Sequence, residues 1–296
     1  PYMFKNWRPN QGFRFEPNRN WHGTSIEGGP YLDAIEVKLF ADSDALGLAY
    51  EAGDIDLING APPTTAKKFR SLTKQAPKAG LAYLGMNVTN SLLKDARVRQ
   101  ALMYAVDRKR LVEEIGEGFG TVTNQPWPST SPAFDPALEA PFYDPGKAKT
   151  LLQQAGFTAT RPLQIEHRNT AANTAAVLKE NFEAVGVKVE LAQVEANAFI
   201  ARLRGRELKD LWITAHSFSD LAPLTNFQQT IPYQAQNPSY FESPDYADLR
   251  AKLETLDPSS AAAKEQYARF NKLWVEDPFI LALQPGSRVD LSLIHI

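Results

Sequence analysis

The chain alternates between two spacings of its apolar residues. Tyr2–Trp7 and Phe13–Glu16 carry the period of two that predicts strands, joined by the turn residues Pro9-Asn10-Gln11-Gly12, and Ile35–Phe40 repeats that period after a glycine-rich polar stretch. Asp42 or Ser43 is placed to cap a helix whose inner face would hold Leu48, Ala49 and Ala52, with Gly53 at its C-terminal end and a short strand at Asp56–Asn59. A second helix is expected over Pro63–Leu72 and a strand over Leu81–Met86. From Asp95 the spacing turns helical: Val98, Ala101, Leu102, Ala105 and Val106 share one face, with Arg97, Arg99 and Gln100 expected on the other. Asp107 caps a following helix that carries Leu111, Val112 and Ile115.

A proline-rich loop from Gly116 to Tyr143 is too long to be a mere connector, and such loops often line a site. Beyond it, Asp144 and Pro145 mark a sharp helix start, with Leu151 and Leu152 inward and Gly156 at the end. The spacing then predicts a strand at Leu163–Ile165, a helix over Ala171–Val185 and a strand at Val187–Leu191 with Val187, Val189 and Leu191 on one face. Next come a helix at Ala196–Leu203, a strand at Leu211–Ala215, and a polar-aromatic loop from His216 to Pro238. Two helices, Pro244–Leu256 and Ala261–Glu276, precede a strand at Phe279–Leu283. Strand and helix alternating in this way predict a mixed α/β sheet.

Composition narrows the chemistry. With 296 residues, 43% of them hydrophobic, the chain is long enough to bury a sizeable core. Its 32 basic and 34 acidic residues leave a net charge of −2 without a basic stripe, so nucleic acid is not an expected partner. Zero cysteines exclude disulfides, thiolate metal sites and thiol catalysis. No apolar run approaches a membrane span and no signal peptide opens the chain. The start inside a strand pairing, and the apolar tail Leu291–Ile296 without a stop signal, read as a fragment whose last residues are cut or altered.

No motif of nucleotide binding, metalloprotease or serine-hydrolase chemistry is present, and neither a catalytic residue nor a cofactor is expected. His167 and His216 both follow strands, but nothing in their spacing fixes a metal geometry. Ser217, His216 and Asp220 are neighbours in sequence, which rarely yields a proton relay; an α/β hydrolase or transferase using His216 and Asp220 is the alternative from the enzyme class. Trp127, Phe218, Phe227, Tyr233 and Tyr240 lie in loops, where rings either wall a ligand pocket or form a local core.

Two long segments are the most specific: Asp95-Ala-Arg-Val-Arg-Gln-Ala-Leu-Met-Tyr-Ala-Val-Asp-Arg108 and Tyr143-Asp-Pro-Gly-Lys-Ala-Lys-Thr-Leu-Leu-Gln-Gln-Ala-Gly156. With Asn18-Arg-Asn-Trp-His-Gly23 and Leu48-Ala-Tyr-Glu-Ala-Gly-Asp-Ile-Asp56, in this order, the chain resembles the family-5 extracellular solute-binding proteins, the peptide- and nickel-type binding components of bacterial ABC importers. The resemblance implies a type II, peptide-binding type of the periplasmic-binding-protein-like two-lobe fold, incomplete at the N-terminus. Residues 1–84 would belong to the first lobe, 85–284 would form the second, and 285–296 would return to the first. It further implies a non-enzymatic, monomeric, periplasmic or otherwise extracytoplasmic protein that closes its lobes on a small solute, by default a peptide, and delivers it to ABC permease subunits. Asp220 would then pair with a ligand amino group and Arg168 with a ligand carboxylate, with His216, Phe218 and Trp127 nearby; Ala215-His216 stands where relatives have Gly-Trp.

Overall fold

A computed structural model describes residues 1–23, 28–139, 142–217, 223, 227 and 231–293, the side chains of 75–79, 217 and 285–288 excepted. The chain divides into two units, Pro1–Thr73 with Asp290–Ile296, and Lys74–Val289.

In the first unit, β1 (Tyr2–Arg8), β2 (Gly12–Pro17) and β3 (Ile35–Lys38) form an antiparallel sheet in that order. The turn holds Asn10 at φ 59° and Gly12 at φ 146°. A side chain at Gly12 would meet the Val37 carbonyl oxygen at 1.8 Å, so the close approach of β3 requires glycine. The alternation seen in the sequence puts Phe4, Phe13 and Phe15 on one face, where their rings meet edge to face.

Helix α1 (Ser43–Glu51) is capped by Asp42, whose carboxylate accepts from the Ala45 N–H at 2.7 Å. Its inner face differs from the expected one. Gly47 and Tyr50 are buried, and Leu48 is 63% exposed. The reason is the neighbour, α2 (Pro63–Lys68): Gly47 lets Thr65 approach, and the Tyr50 ring packs edge-on to Phe69, 5.1 Å between centroids. The strand β4 (Leu57–Ile58) pairs antiparallel with Leu291 and Ser292, so the start of the apolar C-terminal tail is strand.

The second unit is built on a mixed sheet. Its strands are β5 (Thr73–Met86), β6 (Leu163–His167), β7 (Val189–Gln193), β8 (Leu211–Ser217) and β9 (Ile280–Ser292), side by side in the order β9-β5-β8-β6-β7. β6 runs parallel to both β7 and β8, whereas β5 is antiparallel to β8 with Leu81 opposite His216. Both faces are covered. On one, Leu84, Met86, Ile165, Leu211 and Ile213 pack against α3 (Ala96–Ala105), α5 (Pro145–Gln154) and α6 (Ala172–Ala184). On the other, Leu81, Tyr83, Ile280 and Ala282 meet α8 (Pro244–Leu253), α9 (Ala261–Glu276) and aromatic residues of the long loops. Trp212 packs with Phe199 and Leu203 of α7 (Ala196–Gly205).

The caps expected at Asp107 and Asp144 are made, and Asp95 adds another. Asp95 accepts from Arg97 N–H, Asp144 from Lys147 N–H, and Asp107 from Arg110 N–H at the start of a helical turn, α4 (Arg108–Arg110), that widens into a π-turn over Leu111–Ile115. Two details differ. Leu191 is 38% exposed although Val187 and Val189 are buried, because β7 is the edge strand of this sheet. Arg99, expected outside, is 3% exposed: its guanidinium donates to the Leu93 and Pro278 carbonyls and pairs with Asp277. Its charge predicts a solvent-facing residue, but the long side chain reaches the Leu93 carbonyl before α3 and the Pro278 carbonyl just before β9.

Candidate functional site

The second unit holds a recess of about 170 Å³ at the carboxyl ends of β6 and β8, the place where open α/β sheets carry their ligands. Leu111 and Ile115 of the π-turn, Ile213 of β8, Ala82 of β5 and Leu283 of β9 give it apolar walls. Arg168, Thr170, Thr174 and Gln284 supply polar groups. Thr170 stands in the short turn Asn169–Ala171 that leads into α6, and Thr174 in the first turn of that helix, which has no side-chain cap at Ala171.

Arg168 follows β6 directly and is half-buried. Its guanidinium lies over the Phe199 ring, 5.7 Å from the centroid, and its buried Nε has no hydrogen-bond partner among the described residues. Two buried acids of this sheet are engaged elsewhere: Glu166, 1% exposed, pairs with Arg202 at 2.6 Å and accepts from Lys209 N–H. Asp210, also 1% exposed, takes Arg161, the Gln164 N–H and Asn90. A cation with a buried donor unused is a group suited to an anionic ligand.

His216 stands at the end of β8 on the opposite face from Ala215, which lines the recess. Its ring stacks on Tyr83, 5.6 Å between centroids, and Nδ1 lies 3.0 Å from the Tyr83 hydroxyl. Burial, and then the charge of Arg168, lower its pKa from 6.5 to about 4, so the ring is neutral at pH 7. Burial holds the Tyr83 phenol un-ionised.

The lowered His216 pKa has a consequence for stability. Between pH 6.5 and 4 the unfolded chain binds a proton that the folded chain refuses. The stability that neutral His216 contributes is therefore complete above pH 6.5 and declines as the pH falls to about 4, by about 3 kcal/mol in all. Urea titrations across this window are expected to show the decline in the wild type and to lose most of it in His216→Phe; an unchanged slope would assign it to other groups.

Of the five ligand residues expected from the sequence, Arg168 borders the recess, and His216 stands on the other face of β8, near enough for the Arg168 charge to act on its ring. Phe218 and Asp220 lie outside the described residues. Trp127 is 2% exposed and belongs to the aromatic cluster with Phe227, Tyr233 and Phe270, away from the residues that line the recess. His167 is buried with Nδ1 at the Arg168 carbonyl, and among the described residues no three His, Asp or Glu side chains are grouped to hold a metal. Sequence reasoning missed Tyr83, Thr174 and Gln284. The Thr170/Thr174 spacing at a helix start was a usable signal; Tyr83 and Gln284 look like ordinary strand residues.

The oligopeptide-binding protein AppA of Bacillus subtilis (strain 168) is 27% identical over 316 residues, covering 98% of this chain and 56% of that protein. The glutathione-binding protein GsiB of Pectobacterium atrosepticum is 27% identical, covering 95% of this chain and 57% of its own length. The chain thus spans little more than half the length of these curated relatives. Among solved structures, NikA from Brucella suis in complex with Fe(III)-EDTA superimposes with a TM-score of 0.84 at 22% identity, over 99% of this chain and 63% of that one. The periplasmic binding protein DppA from Helicobacter pylori, in complex with a peptide, gives 0.80 at 23% identity, over 99% and 58%. These share the fold, the periplasmic-binding-protein-like architecture that the sequence resemblance implied. The sequence profile described as bacterial extracellular solute-binding proteins, family 5 Middle, matches residues 1–237, and the chain belongs to that family.

Proposed function

We propose that the chain is the solute-binding subunit of a bacterial ABC importer, that it captures a peptide or peptide-like solute, and that it hands the solute unchanged to permease subunits outside the cytoplasm. The observation that carries the reading is Arg168. Arg168, whose buried Nε has no partner among the described residues, borders an apolar recess at the carboxyl ends of two parallel strands, in a chain of this family. A peptide carboxylate satisfies the cation, and an aliphatic side chain fills the recess. The names of the relatives, oligopeptide-binding and glutathione-binding, support a peptide ligand. Asp220 and Phe218 complete the proposed ligand groups, Asp220 for the amino end. No described helix is long and apolar enough to cross a membrane.

Calorimetric titration with a pool of tripeptides tests this. Saturable binding is expected, and Arg168→Gln is expected to weaken it by about 30-fold or more, because the carboxylate then loses a charge-assisted partner. Equal affinity in the variant would remove Arg168 from the site.

A further inference from the structure

His216 is a departure from the family pattern that the structure allows to be read chemically. Tyr83, 1% exposed, is flanked by two polar groups: the His216 ring at 3.0 Å and the Trp212 indole, which is near enough to act on its ionisation but outside strict hydrogen-bond geometry. An indole N–H only donates and cannot take the phenol proton, so that proton goes to His216 Nδ1. A neutral imidazole with Nδ1 accepting carries its hydrogen on Nε2. No described residue takes that hydrogen, and the ring is only half-buried. Arg168, whose charge reaches the His216 ring, also offers donors and no acceptor, while Glu166 is consumed by Arg202 and the Lys209 N–H.

We propose that His216 is a specificity-determining hydrogen-bond donor of the ligand site: Tyr83 fixes its tautomer so that Nε2–H, together with Arg168, selects a carboxylate or carbonyl oxygen and turns away an ammonium. The proposal rests on the reading of this sheet end as a ligand site. A ligand acceptor here satisfies two donors at once. An ammonium brought to the same place meets the Arg168 cation and a second hydrogen pointing at it. A tryptophan or phenylalanine in place of His216 would offer the stack on Tyr83 without this ring donor.

The test uses the full chain and two simple probes of matched shape, 4-methylpentanoate and isoamylamine, followed through the ring nitrogens of 15N-labelled His216. In the free protein Nδ1 is expected to be unprotonated and Nε2 protonated. The acid is expected to move the Nε2 signal in a saturable way, and the amine to leave it unmoved. His216→Phe, which keeps a ring on Tyr83, is expected to bind the acid about tenfold more weakly and to narrow the preference for acid over amine. Tyr83→Phe frees the tautomer and is expected to give an intermediate loss with both ring nitrogens partly protonated. The proposal is overturned by a proton on Nδ1 in the free protein, by no response to either probe, by equal response to the amine, or by a His216→Phe variant that binds and discriminates as the wild type does. If tripeptides fail to bind while the acid still moves His216, the peptide reading falls and the donor stands.

Discussion

Replacing Arg108 with alanine is expected to cost about 3–5 kcal/mol of folding stability, a large part of what a domain has. Arg108 is 2% exposed, and among the described residues no carboxylate pairs with it. Its Nε donates to the Ala282 carbonyl on β9 at 2.8 Å, and Nη1 to the carbonyls of Met103 and Val106 at the end of α3. Burial lowers its pKa to about 10, which still leaves it charged at neutral pH. The cation is thus held by carbonyl dipoles, those of a helix C-terminus included, where positive charge is favoured. Alanine removes the donors from three acceptors and leaves a cavity between helix and sheet. Urea unfolding should show a lower midpoint with an unchanged slope, and Arg108→Lys, which retains charge but not the forked geometry, should fall between. A loss under about 1 kcal/mol for alanine would mean that these carbonyls find other donors.

Trp127→Ala is expected to be as damaging, by about 3–5 kcal/mol. The indole is 2% exposed, within 6.2 Å of the rings of Phe227, Tyr233 and Phe270. Its Nε1 donates to Asn271 Oδ1 at 2.9 Å, and Asn271 in turn donates to the Ala133 carbonyl. Alanine forfeits the ring contacts and strands a buried amide oxygen; Trp127→Phe keeps most of the apolar contact and should lose about 1–2 kcal/mol, the part due to the hydrogen bond. A Trp127→Ala variant of nearly wild-type stability would show that the long loop is not anchored by this ring.

Much of the framework was written in local chemistry. Asp42, Asp95, Asp107 and Asp144 each cap the helix that their position announces, and β6, α6 and β7 follow one another as the spacing requires. Caps and periodicity depend on neighbours a few residues apart, which a sequence displays. What it conceals is the partner across the fold. Leu48 looked inward because it is apolar, but Thr65 and Phe69 chose Gly47 and Tyr50. Arg99 looked outward because it is charged, yet the Pro278 carbonyl lies 179 positions away. The same limit applies to the site. Arg168 and His216 could be suspected singly from strand ends and from the family pattern, but that Tyr83 would fix the His216 ring depends on β5 running antiparallel to β8 in one particular register. Long-range pairing of this kind is set by packing of whole elements and leaves no mark in any one segment.

The measurement closest to the central claim is native mass spectrometry of the chain after incubation with a pool of tripeptides, wild type and Arg168→Gln side by side. A solute-binding protein that uses Arg168 should retain one intact peptide per chain in the wild type and very little in the variant, with the pool otherwise unchanged. Cleaved or modified peptides in the wild-type sample, or equal retention by both proteins, would contradict the account.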